Sequence, residues 1–137
     1  MPRCWEGGYV KAKILLLDDD PEICSTLRDR LVMEGYDVRT ASDGRMGLRL
    51  YHESPVDLVI TDVLMPEMDG LEVIRVLAGM PSPPLIIAMS GGGDRDLGFL
   101  VEAAEFGATR TLPKPFLLSD LVILVKELLS TLPHSSA

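Results

Sequence analysis

Basic residues are scarce in this chain of 137 residues: 13 Lys and Arg stand against 21 Asp and Glu, a formal net charge of −8. The electrostatic footprint of a nucleic-acid binder is missing, so direct nucleic-acid contact is not expected. The two cysteines, Cys4 and Cys24, lie far apart without metal-type spacing, and a chain of this length needs no disulfide staple. Cys24 reads as a small packing residue and Cys4 as a free thiol in a tail. His52 and His134 have no companion ligands nearby in sequence and are assigned no role. Apolar stretches such as Leu121 to Val125 fall far short of the roughly 20 residues needed to cross a bilayer. Met1 to Ala12 contains Arg3, Cys4, Trp5, Glu6 and two glycines where a secretory signal needs a continuous apolar run. The expectation is a reduced, cytoplasmic protein without a membrane segment.

The sequence does have enough apolar residues, 47% with 25% charged, to close one hydrophobic core. Ile14 to Leu17 is a short apolar run stopped by Asp18, Asp19, Asp20 and Pro21, as a buried parallel strand is. The period then changes. Ile23, Leu27 and Leu31 recur four apart, and Gly35 is placed to end that helix. Tyr36 to Thr40 reads as a second strand, and Asp43-Gly44 opens a helix through Met46, Leu50 and Tyr51. Val56 to Ile60 reads as a fully apolar third strand ending at Thr61-Asp62, with Asp69-Gly70 as the turn into a helix over Leu71 to Leu77. Leu85 to Met89 precedes Ser90, after which Leu97, Leu100, Val101 and Ala104 mark a helix closed by Gly107. Thr109 to Leu112 is the last strand, and Ser119 is the expected N-cap of a helix striped by Leu121, Leu124, Val125 and Leu128.

Strands alternating with helices at this spacing predict an α/β fold, a doubly wound five-stranded parallel sheet with helices on both faces. The expected divisions are an extension over 1–12, one domain over 13–132 and a tail over 133–137. Trp5 and Tyr9 read as part of a floppy extension, with docking as the minor alternative. In a sheet of strand order 2-1-3-4-5 the site lies beyond the carboxyl ends of strands one and three. There Asp18, Asp19 and Asp62 converge, and such crowding favours a hard divalent cation. Mg²⁺ suits this better than Ca²⁺, which wants more protein ligands, with Mn²⁺ as the alternative. Ser90 and Lys114 add a hydroxyl and an ammonium at the same edge, and the set together describes phosphoryl transfer to an aspartate. Asp20 reads only as a helix-start residue.

On ILLLDDDP (Ile14 to Pro21), DLVITDVLMPEMDG (Asp57 to Gly70), IIAMSG (Ile86 to Gly91) and KPF (Lys114 to Phe116), the chain resembles the CheY-like receiver domains of two-component response regulators, over Lys13 to about Leu132. The resemblance implies the flavodoxin-like (βα)5 fold. It implies Asp62 as phosphoacceptor, Asp18 and Asp19 as the metal-binding pair, and the Leu64 backbone carbonyl as a further metal ligand. It also implies that Ser90 holds a phosphoryl oxygen, that Lys114 pairs first with Asp62 and then with the phosphoryl group, and that the Lys114-Pro115 bond is cis. The implied partners are a histidine kinase or phosphotransfer protein and a downstream protein that reads the changed surface. The domain is then a phosphoacceptor and not a turnover enzyme, a monomer or a phosphorylation-dependent dimer.

Two features depart from the family. Thr111 stands where a switch aromatic is usual, so the route from site to surface differs from the common one. Gly91, Gly92 and Gly93 give the loop after Ser90 unusual freedom, expected to order on phosphorylation. With few residues after the last helix, a stand-alone receiver is the first expectation. A receiver portion of a longer DNA-binding or hybrid-kinase protein is the second. The enzyme alternative is a small haloacid-dehalogenase-type phosphatase with Asp18 as nucleophile and Asp20 as acid/base, against which Pro21 stands where that motif wants Gly-Thr.

Overall fold

Period-two burial at the apolar runs determines the architecture. In the computed structural model, which describes residues 3–5, 8–65, 69–90 and 94–132, the sheet strands are β3 (Lys13–Leu17), β4 (Asp37–Ala41), β5 (Leu58–Asp62), β6 (Leu85–Ser90) and β7 (Arg110–Pro113). All pair in parallel, in the order β4-β3-β5-β6-β7, which is the predicted 2-1-3-4-5 of the flavodoxin-like receiver fold. Alternate residues serve the two faces. Ile14, Leu16, Leu58, Ile60, Ile87 and Met89 pack under α1 (Pro21–Met33) and α5 (Leu118–Leu129). Leu15, Leu17, Val59, Ile86 and Ala88 pack under α2 (Gly44–Glu53), α3 (Gly70–Ala78) and α4 (Asp94–Phe106). The central strands are buried on both faces, which is why they read as unbroken apolar runs.

The N-terminal stretch, expected as a loose extension, forms an antiparallel pair, β1 (Arg3–Trp5) with β2 (Gly8–Val10), in which Cys4 lies opposite Tyr9. The contacts of the Trp5 and Tyr9 side chains lie outside the described residues, as do the Gly91 to Gly93 loop and the tail from Pro133.

Several sequence expectations shift. The third strand begins at Leu58, and the residue before it, Asp57, is a buried carboxylate whose Oδ2 accepts from the Lys13 N–H at 2.8 Å. The run was therefore not fully apolar: a polar group was buried because it satisfies a strand end. Ser119 lies inside the last helix, whose N-cap is Leu117, and the Asp120 carboxylate accepts from the Leu117 N–H at 3.4 Å. Among the described positions of α4, Leu100 and Ala103 are buried, while Val101 faces solvent at 61% exposure. On α1 the buried stripe is Cys24, Leu27 and Leu31, with Ile23 half-buried beside it. On α2, Tyr51 is buried, Leu50 half-buried and Met46 exposed. Gly35, at φ +98°, takes the left-handed conformation that ends α1.

Candidate functional site

The carboxyl ends of β3, β5, β6 and β7 lie side by side, so the residues just past them share one rim. The acidic run after β3 divides into three roles. Asp18 turns inward, is 2% exposed, and its Oδ1 accepts from the Asp20 N–H at 2.9 Å. Asp19 faces solvent. Asp20 caps α1, its Oδ1 accepting from the N–H groups of Glu22 at 3.0 Å and Ile23 at 3.4 Å.

Asp62 closes β5, half-buried, with Oδ1 accepting from the Leu64 N–H at 3.4 Å. Asp18, Asp19 and Asp62 each present a ligand atom within 4.8 Å of the others. Lys114 follows β7, and its peptide bond to Pro115 is cis. Its Nζ donates to Asp18 Oδ2 and to Asp62 Oδ2, at 3.2 Å each. Ser90 ends β6 fully buried, and its Oγ has no hydrogen-bond partner among the described residues. Thr111 is half-buried on β7 opposite Ala88.

Burial holds the Asp62 carboxyl above its ordinary range; the Lys114 ammonium opposes this and the Asp18 charge adds to it. Burial also works against the Lys114 charge, but Asp62 and Asp18 outweigh it and hold the ammonium above its usual range. One ammonium shared by two carboxylates beside a third leaves the cluster short of positive charge. An oxygen-only donor set of this kind suits Mg²⁺ or Mn²⁺, with Asp18, Asp19 and Asp62 as the groups that would hold it. The buried Ser90 hydroxyl, without an acceptor among the described residues, would suit an anionic oxygen at the same rim.

The sequence placed Asp18, Asp19, Asp62, Ser90 and Lys114 at strand ends, and the structure brings the three aspartates and the lysine into one cluster. It missed the role of Gly70. Its N–H donates to the Val63 carbonyl at 2.8 Å, and a Cβ there would collide with the Asp62 carbonyl oxygen. The available signal was the Asp69-Gly70 pair shortly after the candidate acceptor, which was read only as a turn. Beside Lys114 an apolar groove of about 560 Å³ runs between α1 and the β7–α5 connection, walled by Ile23, Leu27, Pro115 and Phe116.

Among known proteins, the model of the response regulator receiver domain matches residues 14–126. The transcriptional regulatory protein CpxR of Klebsiella pneumoniae is 39% identical over 117 residues, covering 85% of this chain and 49% of its own. The chain thus spans about half the length of the curated relatives it matches. A response regulator receiver domain protein from Clostridium thermocellum superposes with a TM-score of 0.79 at 33% identity, covering 87% of this chain and 94% of its own. The chemotaxis response regulator CheY4 of Vibrio cholerae gives 0.78 at 29% identity, covering 87% and 99%. Sequence motifs, strand order and these likenesses agree, and the chain belongs to the response regulator receiver domain family of two-component signalling.

Proposed function

We propose that Asp62 is the phosphoacceptor of a signalling switch. The observation that carries this reading is the Lys114 ammonium, fixed 3.2 Å from both Asp18 and Asp62, with the unpartnered Ser90 hydroxyl at the next strand end. The Asp62 carboxylate attacks phosphorus on a phosphohistidine of a kinase or phosphotransfer protein. An O–P bond forms, the N–P bond breaks, and the imidazole leaves with the electron pair. Lys114 meets the charge on the transferred oxygens, and Ser90 donates to one of them. Asp18, Asp19, Asp62 and the Leu64 carbonyl would hold Mg²⁺ or Mn²⁺, which would supply neutralising charge to the phosphoryl oxygens. Water later attacks phosphorus, releases inorganic phosphate and restores the carboxylate, so the chain acts as a timed switch and not as a turnover enzyme. Added charge at Asp62 draws Ser90 and its loop inward and biases a surface that a downstream protein reads.

Intact-mass measurement after incubation with Mg²⁺ and a small phosphodonor tests this. Wild type gains one phosphoryl group and Asp62→Asn does not. Label retained in that variant and mapped to Asp18 would sink the reading and favour the dehalogenase-type phosphatase.

A second reading concerns context. CpxR is a transcriptional regulatory protein twice as long as the match, which favours this chain being the receiver portion of a longer regulator. The likeness to CheY4, covered over 99% of its length, favours a receiver acting alone through protein contacts. A coding sequence continuing past Ala137 into a further domain decides for the former.

A further inference from the structure

The cations whose side chains the structure describes fall into two sets, paired and unpaired. Among the described residues, Arg28, Arg30, Arg75, Arg110 and Lys126 each pair with a carboxylate, and Lys114 is held in the site. Among the residues whose side chains are described, the cations left without a carboxylate partner are Lys11, Lys13, Arg39, Arg45 and Arg49, at the entry to β3, on the edge strand β4 and on α2 beside it. Lys13 and Arg39 share one wall, and Arg45 and Arg49 line a hollow of about 340 Å³ with Ser42 and Asp43. Asp43 is already engaged, its Oδ1 accepting from the Met46 N–H at 2.8 Å.

The same corner offers backbone. β4 ends the sheet and pairs only with β3. The Asp37 N–H donates to the Ala12 carbonyl and the Ala41 carbonyl accepts from the Asp18 N–H, so the odd-numbered residues turn their polar groups inward. By the period of two, Val38 and Thr40 turn theirs to the open edge. The opposite edge differs, since β7 ends in Pro113, which has no N–H, and its Arg110 is paired with Glu127.

We propose that the β4 edge with Arg39, Arg45 and Arg49 is a docking surface for an extended acidic segment of a partner protein, which adds a strand beside Val38 and Thr40. Alternate carboxylates of such a segment meet the guanidiniums, and its other side chains lie along the edge. Charge selects the occupant. A nucleic acid or an anionic membrane carries its charge over a wide surface and meets the −8 of the whole chain, whereas a short acidic segment meets only this cationic corner. Thr40 and Ser42 also line the hollow beside Asp18 and Asp19, but the proposal uses none of the Asp62 chemistry and stands or falls without it.

Amide hydrogen exchange and NMR titration with a short peptide alternating Val and Glu test the proposal. Exchange at Val38 and Thr40 slows, and shifts concentrate at Arg39, Arg45 and Arg49. The same Val and Glu peptide N-methylated at every residue, which has no backbone N–H to donate, gives no such protection. Replacing the three arginines together by Glu weakens binding on the order of tenfold, as the loss of three exposed pairs predicts, and replacement by Gln weakens it less. Phosphoryl labelling of Asp62 stays as in wild type in both variants. Unchanged exchange at Val38 and Thr40 would leave the arginines as guards against edge-to-edge pairing and overturn the proposal. Binding undiminished in the Glu variant overturns it, and so does tighter binding of a short DNA duplex, of phosphatidylglycerol vesicles or of a second copy of the chain at the same residues.

Discussion

Gly70 packs its α-carbon against the backbone of Asp62, so closely that a Cβ would run into the Asp62 carbonyl oxygen and stand 2.8 Å from the Val63 Cα. The obstacle is backbone and not a movable side chain, so Gly70→Ala forces the start of α3 and the end of β5 apart. Overpacking of this kind costs about 1–3 kcal/mol. Urea unfolding is expected to show that loss, and phosphodonor labelling of Asp62 to slow with it. A variant as stable as wild type would mean that the two segments separate without strain.

Lys114→Met removes the cation that Asp18 and Asp62 share, leaving two carboxylates at close range with no ammonium between them. With the Lys114 side chain only 20% exposed, a loss of about 1–3 kcal/mol in metal-free buffer is expected. Because the remaining charge favours a cation more strongly, Mg²⁺ should raise the Tm of the variant more than that of wild type. Equal Mg²⁺-induced shifts, read by thermal melts with and without the ion, would show that Lys114 and the ion do not act on the same charges.

Ser90→Ala is expected to separate stability from chemistry. The hydroxyl is fully buried without a partner among the described residues, and its removal relieves an unmet polar group. A gain of about 1 kcal/mol follows, seen as a higher urea midpoint at unchanged slope. Asp62 labelling should slow in the same protein, since the side-chain donor at the end of β6 is removed. A destabilised variant would show that Ser90 already has a partner in the resting protein.

The strand ends were legible in the sequence because fully buried parallel strands are bounded sharply by polar residues, so Asp18, Asp62, Ser90 and Lys114 could be placed on one rim before any coordinates. Phase and contact were less legible. An apolar stripe on α5 fixes which face is buried but not where the first turn starts, and there the Asp120 carboxylate, reaching back to the Leu117 N–H, settles an N-cap two residues before Ser119. Val101 reads as core on composition yet lies outside the arc that α4 turns to the sheet, where Leu100 and Ala103 sit. Asp57 and Gly70 escaped for a common reason. Each acts through the backbone of another residue, Lys13 in one case and Asp62 in the other, and a pattern of side-chain types carries no record of that.

Glu34 ties the end of α1 to α5, with Oε1 2.8 Å from Lys126 Nζ and Oε2 3.2 Å from Arg30 Nε. The hydrogen bonds from Lys126 and then Arg30 hold its carboxyl below the ordinary value of 4.5, while Glu34 in turn holds the Lys126 ammonium above 10.5. A carboxyl depressed on folding adds stability that is complete above its unfolded pKa and disappears as pH falls through the folded one. An ammonium raised on folding adds stability that is complete below its unfolded pKa and disappears as pH rises through the folded one. The Tm difference between wild type and Glu34→Gln should therefore be level from about pH 5 to pH 10 and shrink outside that window on both sides. Lys126 is exposed and Glu34 is part-buried near the surface, so the difference is small and salt should reduce it. A difference that persists undiminished well below pH 4 would assign the effect of Glu34 to packing of its side-chain stem and not to its charge.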